Sequence, residues 1–358
     1  MHDRLPGAQD VRIAGSEPAA PNAATSLTDG FGRRIRHLRL SVISTCDLRC
    51  SYCRPADLPH PESIEHTSQE SVEGSAPSLN DDQRFNLVAE LVDRYGLEQV
   101  RITGGEPLLY RNVVSLLSGI RSVAPRVDLA MTTHGKLLST KAAALSAAGL
   151  SRINISLDTL RPDRYEALTG GKLDDVLTGI RAAGAAGFRR IKLNAVVLAG
   201  INDDELADLA TWAVRNGHEL RFLEAMPIGP AAAFNRRHFV AAAAMRERLS
   251  RDFTLEPMIA PHGSTSRLFR IHVEDRVGVV GFVSPVTEPF CAGCGRIRIT
   301  ADGRMYPCLL DSRSVSLRPA LSGNGWDRDL LDDTLRHALA RKAAAGTVQA
   351  SSMVTLGG

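Results

Sequence analysis

Between Leu38 and Glu224, six short β-rich runs alternate with helix-like stretches, and this alternation restricts the fold more than any other feature of the 358-residue chain. The runs are LRLSVI (38–43), QVRIT (99–103), DLAMT (128–132), RINIS (152–156), RIKLNAVV (190–197) and LRFLE (220–224). Helical stretches open at Asn80-Asp81, with Ser78 nearby as a cap, and then cover 112–123, 138–148, 173–187 and 203–215; Gly149 and Gly187 stand where helix stops belong. Strands separated by helices pair in parallel through right-handed crossovers. Six such units predict an α/β fold, an incomplete (β/α)6 TIM-type barrel, with a doubly wound sheet as the alternative.

The rest of the chain divides around that core. Residues 1–30, rich in Ala, Pro, Ser and Asp, lack any period and read as a disordered tail. The barrel is expected over 31–227, interrupted by a polar surface loop at 56–78 that is a candidate lid. After Met226-Pro227 the alternation ends, and 228–358 reads as a mixed C-terminal region. The formal net charge is +3, from 43 Lys and Arg against 40 Asp and Glu, which argues against a nucleic-acid or anionic-membrane partner. No apolar run suits a signal peptide or a membrane span, so a cytoplasmic protein is expected.

All six cysteines fall into two triplets: Cys46, Cys50 and Cys53, then Cys291, Cys294 and Cys308. Tight groupings in a large chain point to metal rather than disulfides. A C-x3-C-x2-C run can hold three corners of a [4Fe–4S] cube and leave one iron open, whereas structural zinc normally closes its tetrahedron with four protein ligands. The nearest fourth donor to the front set is His60, a weak candidate. The back set gives C-x2-C-x13-C, for which a zinc knuckle or a stabilising cluster is the other reading. Cys46 follows the first strand, at the end of a barrel where such folds place their sites. Thr103-Gly104-Gly105-Glu106-Pro107 ends the second strand; its glycines allow close approach of a ligand, and its carboxylate can accept from an amine. Neither a dinucleotide-binding glycine motif nor a P-loop occurs.

The front triplet, with Tyr52 before its last cysteine and GGEP following, resembles the radical S-adenosylmethionine (SAM) superfamily. FCAGCGRIRITADGRMYPCLL (290–310), together with NISLDTL, KLNAVV, INDDE, RFLEAMPIG, VSPVTEPFC and the last residues Gly357-Gly358, is similar to the GTP 3′,8-cyclase family of molybdenum cofactor biosynthesis. The resemblance runs from about Phe31 to Gly358 and implies a radical SAM barrel with a C-terminal iron–sulfur region.

It further implies two [4Fe–4S] clusters, on Cys46, Cys50 and Cys53 and on Cys291, Cys294 and Cys308, the second binding the purine of the substrate. SAM would be held near Tyr52, Gly105, Glu106, Thr132, Ser156 and Met226, and reductively cleaved to a 5′-deoxyadenosyl radical. That radical would take the 3′ hydrogen of GTP, and C3′ would attack guanine C8. Arg296 and Arg298 match substrate-contacting arginines, and Gly357 and Gly358 match a double-glycine tail that enters the active site. The implied partners are GTP, a reduced flavodoxin-like electron donor, a downstream pterin synthase and a second copy in a homodimer.

Residue alternation gives separate support for an anionic substrate. Apolar neighbours flank Arg39, Arg101 and Lys192, and Phe222 follows Arg221, so these cations should point into the barrel, where burial is costly without anions. Ion pairing with Glu or Asp is the alternative. The chain departs from the family at Ile43-Ser44-Thr45, where Thr-Asp-Arg is usual, at Arg54, at His134, where Asn is usual, and at Gly295. A diverged radical SAM enzyme for another nucleotide or a peptide, and a noncatalytic iron–sulfur protein, are the rival readings.

Overall fold

The computed structural model describes residues 26–54, 77–261 and 263–346. Its first half follows the expected alternation: β1 (His37–Ser41), α1 (Asp81–Tyr95), β2 (Gln99–Thr103), α2 (Val113–Val123), β3 (Asp128–Thr133), α3 (Leu138–Ala147), β4 (Arg152–Ser156), α4 (Pro162–Thr169), α5 (Leu173–Ala185), β5 (Ile191–Val197), α6 (Leu206–Arg215) and β6 (Glu219–Glu224). Strands β1 to β6 pair in sequence order, all parallel. Their alternation is also as read: Leu38, Leu40, Val100, Ile102, Ile191 and Leu193 are at most 1% exposed beneath the helices, while Arg39, Arg101 and Lys192 are half-buried on the other face. Helix α1 starts on Asn80, not Ser78. The Asn80 side chain accepts from Gln83 N, and the Gln83 side chain returns a bond to Asn80 N, which satisfies donors that Ser78 is too far back to reach. The short helix α4 lies outside the stretches expected from sequence.

The C-terminal region does not sit apart. It continues as α7 (Ala232–Arg237), α8 (Ala242–Leu249), β7 (Glu256–Met258), β8 (Arg267–Val273), β9 (Arg276–Val283), β10 (Arg296–Ile299), β11 (Arg304–Tyr306), β12 (Val315–Ser316), β13 (Leu321–Ser322), β14 (Gly325–Trp326) and α9 (Arg328–Ala340). Strand β9 pairs in parallel with β6, and β10 in parallel with β1. The result is one sheet of 12 strands, β12-β11-β10-β1-β2-β3-β4-β5-β6-β9-β8-β7. Buried Glu224 adds a polar tie, accepting from Ala242 N, Val286 N and Thr287 N.

The sheet curls. Arg221 on β6 lies close enough to depress the pKa of Arg101 on β2, although four strand spacings in a flat sheet would separate them by ~19 Å. At the front, the tail reading needs correcting from residue 26 onward: Leu27 is 1% exposed in the core, and Thr28 bridges Arg34, so apolar burial draws this stretch into the fold. The 56–76 part of the expected lid, residues 1–25 of the tail and the pair Gly357-Gly358 lie outside the described residues.

Candidate active site

Strand direction places the two cysteine sets at opposite ends of the curled sheet. Cys46 comes after the C-terminal end of β1, whereas Cys294 comes just before β10, which runs parallel to β1. Cys308 returns to the same end as Cys294 because it follows β11, which is antiparallel to β10. A strand of about five residues at ~3.3 Å each puts roughly 15–20 Å between the two ends.

The front loop is fixed by its neighbours. Arg49 N and Ser51 N donate to Thr169 and Leu168 carbonyls at the end of α4, and Cys53 N and Arg54 N donate back to Cys50 O. The Tyr52 hydroxyl donates to Asp158 Oδ2 at 2.8 Å, and Asn235 Nδ2 ties Tyr52 O to Met226 O. Gly104 and Gly105 press the β2 exit onto this loop, with Gly105 N on Ile43 O and Glu106 N on Thr45 O, both at 2.8 Å. A Cβ on Gly105 would lie 2.1 Å from Thr45 O, so the close approach requires glycine.

Glu106 is 1% exposed and fully engaged: it accepts from Leu108 N, Thr133 Oγ1 and His134 N. Its carboxylate therefore orders the loops around the site. His134, one of the departures from the family pattern, is 7% exposed, with Nε2 at 2.8 Å from Asp47 Oδ1 and 3.3 Å from Glu106 Oε2. Lys136 Nζ reaches Asp47 Oδ2 at 2.9 Å. Cys46, Asp47 and His134 converge within 4.8 Å, but Asp47 and His134 bond to one another, which leaves the thiol as the uncommitted donor of the three. Burial opposes protonation of His134, and Glu106 and Asp47 outweigh it, raising its pKa. Sequence reading missed Asp47 because its partners are remote in the chain.

Thr132 and Ser156 stand half-buried at the ends of β3 and β4, and Met226 just after β6, all around the end that carries Cys46. Deeper in, register aligns cations across neighbouring strands. Arg298, Arg39 and Arg101 form one row, followed by Ala130 and then Arg152; Arg296, His37, Gln99 and Asp128 form the row beyond it. Arg152 belongs with the predicted set and was missed because it opens its strand. Burial, then Arg298 and Arg296, pull Arg39 well below its ordinary pKa, and burial lowers Arg298 to about 10.

The expected cations divide into two groups. Lys192 and Arg221 share Glu219, with Lys192 Nζ at 3.2 Å and Arg221 Nη2 at 2.7 Å, and Arg152 pairs with Asp128. Among the described residues no carboxylate lies within 4 Å of Arg39 or Arg101. Burial raises most of the shifted thiols, Cys308 in the back set included, and Cys294 is the exception. Burial pushes Cys46 up to about 12, with Glu106 and Asp47 adding to it, and Cys53 up to about 11. Burial alone would raise Cys294 too, but Lys342 and Arg296 beside it bring it below the usual thiol value. Arg296 stacks over Phe290 and donates to Gly263 O. Gly295, where the chain departs from the family, lets Arg34 O approach: a Cβ there would lie 2.3 Å from it.

Comparison with known proteins agrees with this geometry. Residues 40–213 match the family model described as Radical SAM superfamily, and residues 218–348 the one described as Molybdenum Cofactor Synthesis C. The chain is similar to a protein of Paenarthrobacter nicotinovorans named GTP 3′,8-cyclase, 40% identical over 326 residues and covering 87% of this chain and 89% of that one. A protein of the same name from Ectopseudomonas mendocina is 40% identical over 88% of this chain and 92% of its own. Among solved structures, Streptococcus suis SuiB bound to S-adenosylmethionine superimposes with a TM-score of 0.57 at 15% identity, over 86% of this chain and 68% of that chain, which shows the shared fold.

Proposed function

Given that the chain belongs to the GTP 3′,8-cyclase family within the radical SAM superfamily, we propose that it converts GTP to the 3′,8-cyclised nucleotide that opens molybdenum cofactor biosynthesis. The observation that carries this reading is the pair of three-cysteine sets at opposite ends of a cation-lined interior. The donors suit the cofactors. Each set offers three free thiols, and the residues nearest Cys46 are bonded among themselves, so each set can hold a [4Fe–4S] cluster with one iron open to a ligand. When bound, the front cluster and SAM supply a 5′-deoxyadenosyl radical able to take the 3′ hydrogen of GTP, so that C3′ can join guanine C8.

The remaining work falls to the chain. Cys46, Cys50 and Cys53 hold the front cluster, and Cys291, Cys294 and Cys308 the back one. Tyr52, Gly105, Glu106, Thr132, Ser156 and Met226 shape the SAM end, with Glu106 acting through the loops it braces. Arg39, Arg101, Lys192, Arg221, Arg296 and Arg298 bind the nucleotide, and Arg152 joins them. The Arg39 and Arg101 guanidinium groups, with no carboxylate within 4 Å among the described residues, suit phosphate oxygens, which they can meet through charge-assisted, bidentate hydrogen bonds. Lys192 and Arg221 can turn from Glu219 to the substrate. By the family likeness, Gly357 and Gly358 complete the site.

The barrel at 31–227 and the cluster region at 228–358 work as two parts of one active site. A cytoplasmic enzyme, a reduced flavodoxin-like donor, a pterin synthase that takes the product and a homodimer complete the reading. Among the described residues no helix is long and apolar enough to cross a membrane.

The test is an anaerobic reaction of the reconstituted chain with SAM, GTP and a strong reductant, resolved by mass spectrometry. Cyclised GTP should appear in step with 5′-deoxyadenosine. SAM cleavage without a GTP product would move the assignment to another substrate, and absence of cleavage at full iron loading would refute the enzyme.

A further inference from the structure

Two of the three front thiols sit on a single turn, Cys50 to Cys53, closed by Cys53 N at 2.9 Å and Arg54 N at 2.7 Å from Cys50 O. Tyr52 lies between them, packed against an apolar cluster of Leu168, Leu198 and Ala225 that Val196, Ile201 and Phe234 complete. A phenylalanine would fill that space equally well, so the hydroxyl answers another need. It donates at 2.8 Å to Oδ2 of Asp158, which is 2% exposed just past the end of β4 and whose Oδ1 accepts from Val196 N on β5, also at 2.8 Å. The backbone of Tyr52 is held too. Asn235, 3% exposed, directs its Nδ2 to two carbonyls, Tyr52 O at 3.0 Å and Met226 O at 2.7 Å, the latter just past β6. Among the described residues, the buried Asn235 Oδ1 meets no donor.

We infer that Asp158, through the Tyr52 hydroxyl, and Asn235, through the Tyr52 carbonyl, are positioning residues that hold the Cys50–Cys53 turn against the ends of β4, β5 and β6. They thereby set where two thiols of the front set stand. The inference rests on the reading of that set as a cluster site. The pattern of donors and acceptors selects these residue types. A buried carboxylate is tolerated where donors meet both oxygens, as Val196 N and the Tyr52 hydroxyl do here. Between two carbonyls a side chain with two hydrogens on one nitrogen fits, whereas aspartate at 235 would set a carboxylate against both. Leaving Oδ1 bare is the cost of keeping those two donors. Ser51 gives the turn a separate attachment, its N donating to Leu168 O at 3.0 Å, so loss of one tie should loosen the turn without releasing it. A cluster's properties follow the hydrogen bonds and charge around its ligands, so loosening should register at the front cluster.

The experiment compares the reconstituted full chain as wild type, Y52F, D158A, D158N, N235A and the double variant Y52F/D158A. It reads iron content, the electron paramagnetic resonance signal that added SAM perturbs, SAM affinity by equilibrium dialysis, and amide hydrogen exchange over 50–54. Y52F, D158A and N235A should keep the back cluster, bind SAM ~10-fold more weakly with an altered signal, and exchange ~10-fold faster over 50–54. D158N should be milder than D158A, because its amide can keep Val196 N and turn an N–H toward the Tyr52 oxygen. The double variant should match the worse of its two single variants, since Asp158 acts through the hydroxyl. Wild-type affinity and exchange in D158A or in N235A would overturn the inference for that residue, and additive losses in the double variant would overturn it for Asp158. If D158A loses iron from both sets, Y52F decides, and wild-type behaviour there would overturn the hydroxyl tie. If wild type itself holds no front cluster, the cluster reading fails, while exchange over 50–54 still decides whether the turn is held.

Discussion

At the scale of single residues, the interior cations carry a testable pH dependence. Burial, then Arg221, lowers Lys192 from 10.5 to about 8, with Glu219 opposing. A depressed folded pKa means that the stability this group contributes is present above 10.5 and is lost as pH falls through 8. A bound triphosphate favours the charged form, so binding above pH 8 must take up a proton. GTP affinity should then fall as pH rises from 8 to 9.5, by up to about tenfold per unit. K192M should bind more weakly at pH 7.5 and lose that slope. Calorimetric titration of both proteins checks it, the variant correcting for titration of the nucleotide; equal slopes would remove Lys192 from the site. The inward direction of Arg39, Arg101, Lys192 and Arg221 was legible because strand side chains alternate. The carboxylates that hold Lys192 and Arg152 were less so. Glu219 pairs across two strands and Asp128 across another two, and nothing local marks either contact.

Elements meet at the site through backbone, and a glycine governs the closest meeting. In Gly105→Ala the new methyl would lie 2.1 Å from Thr45 O and 2.8 Å from Ser44 O, so the β2 exit and the Cys46 loop must part. The prediction is a protein that assembles only its back cluster, with iron falling to about half. Iron analysis and electron paramagnetic resonance would show it, and full loading of both clusters would mean that the two loops tolerate separation. From sequence alone GGEP was a weak signal, since glycine after a strand usually marks a turn. Its role as a spacer between two loops shows only when Ile43 and Thr45 are seen opposite it. Strands β1 to β6 were legible within a residue or two because period-2 runs are bounded by helices with clear stops, such as Gly149 at φ 88°. Helix α4 escaped: it is eight residues long, and its charges at Asp163, Arg164 and Glu166 blur any apolar stripe.

For the molecule as a whole, the strand order binds the two halves into one sheet. Ending the chain at residue 227 would expose the free edges of β1 and β6, which β10 and β9 cover in the full protein. The shortened chain should aggregate, and the full chain should unfold in a single calorimetric transition. Two separated transitions would show independent domains instead. The division at 227 was drawn from sequence where the alternation stops. Parallel pairing of remote strands leaves no turn signature to read, so β9 and β10 could not be assigned partners in advance.

The position of β1, between β2 and β10, also orders events in time. A ribosome adds roughly 5–20 residues each second, so β1 waits on the order of 10–50 s after synthesis for its second neighbour. During that interval the strand leading into Cys46 has an open flank.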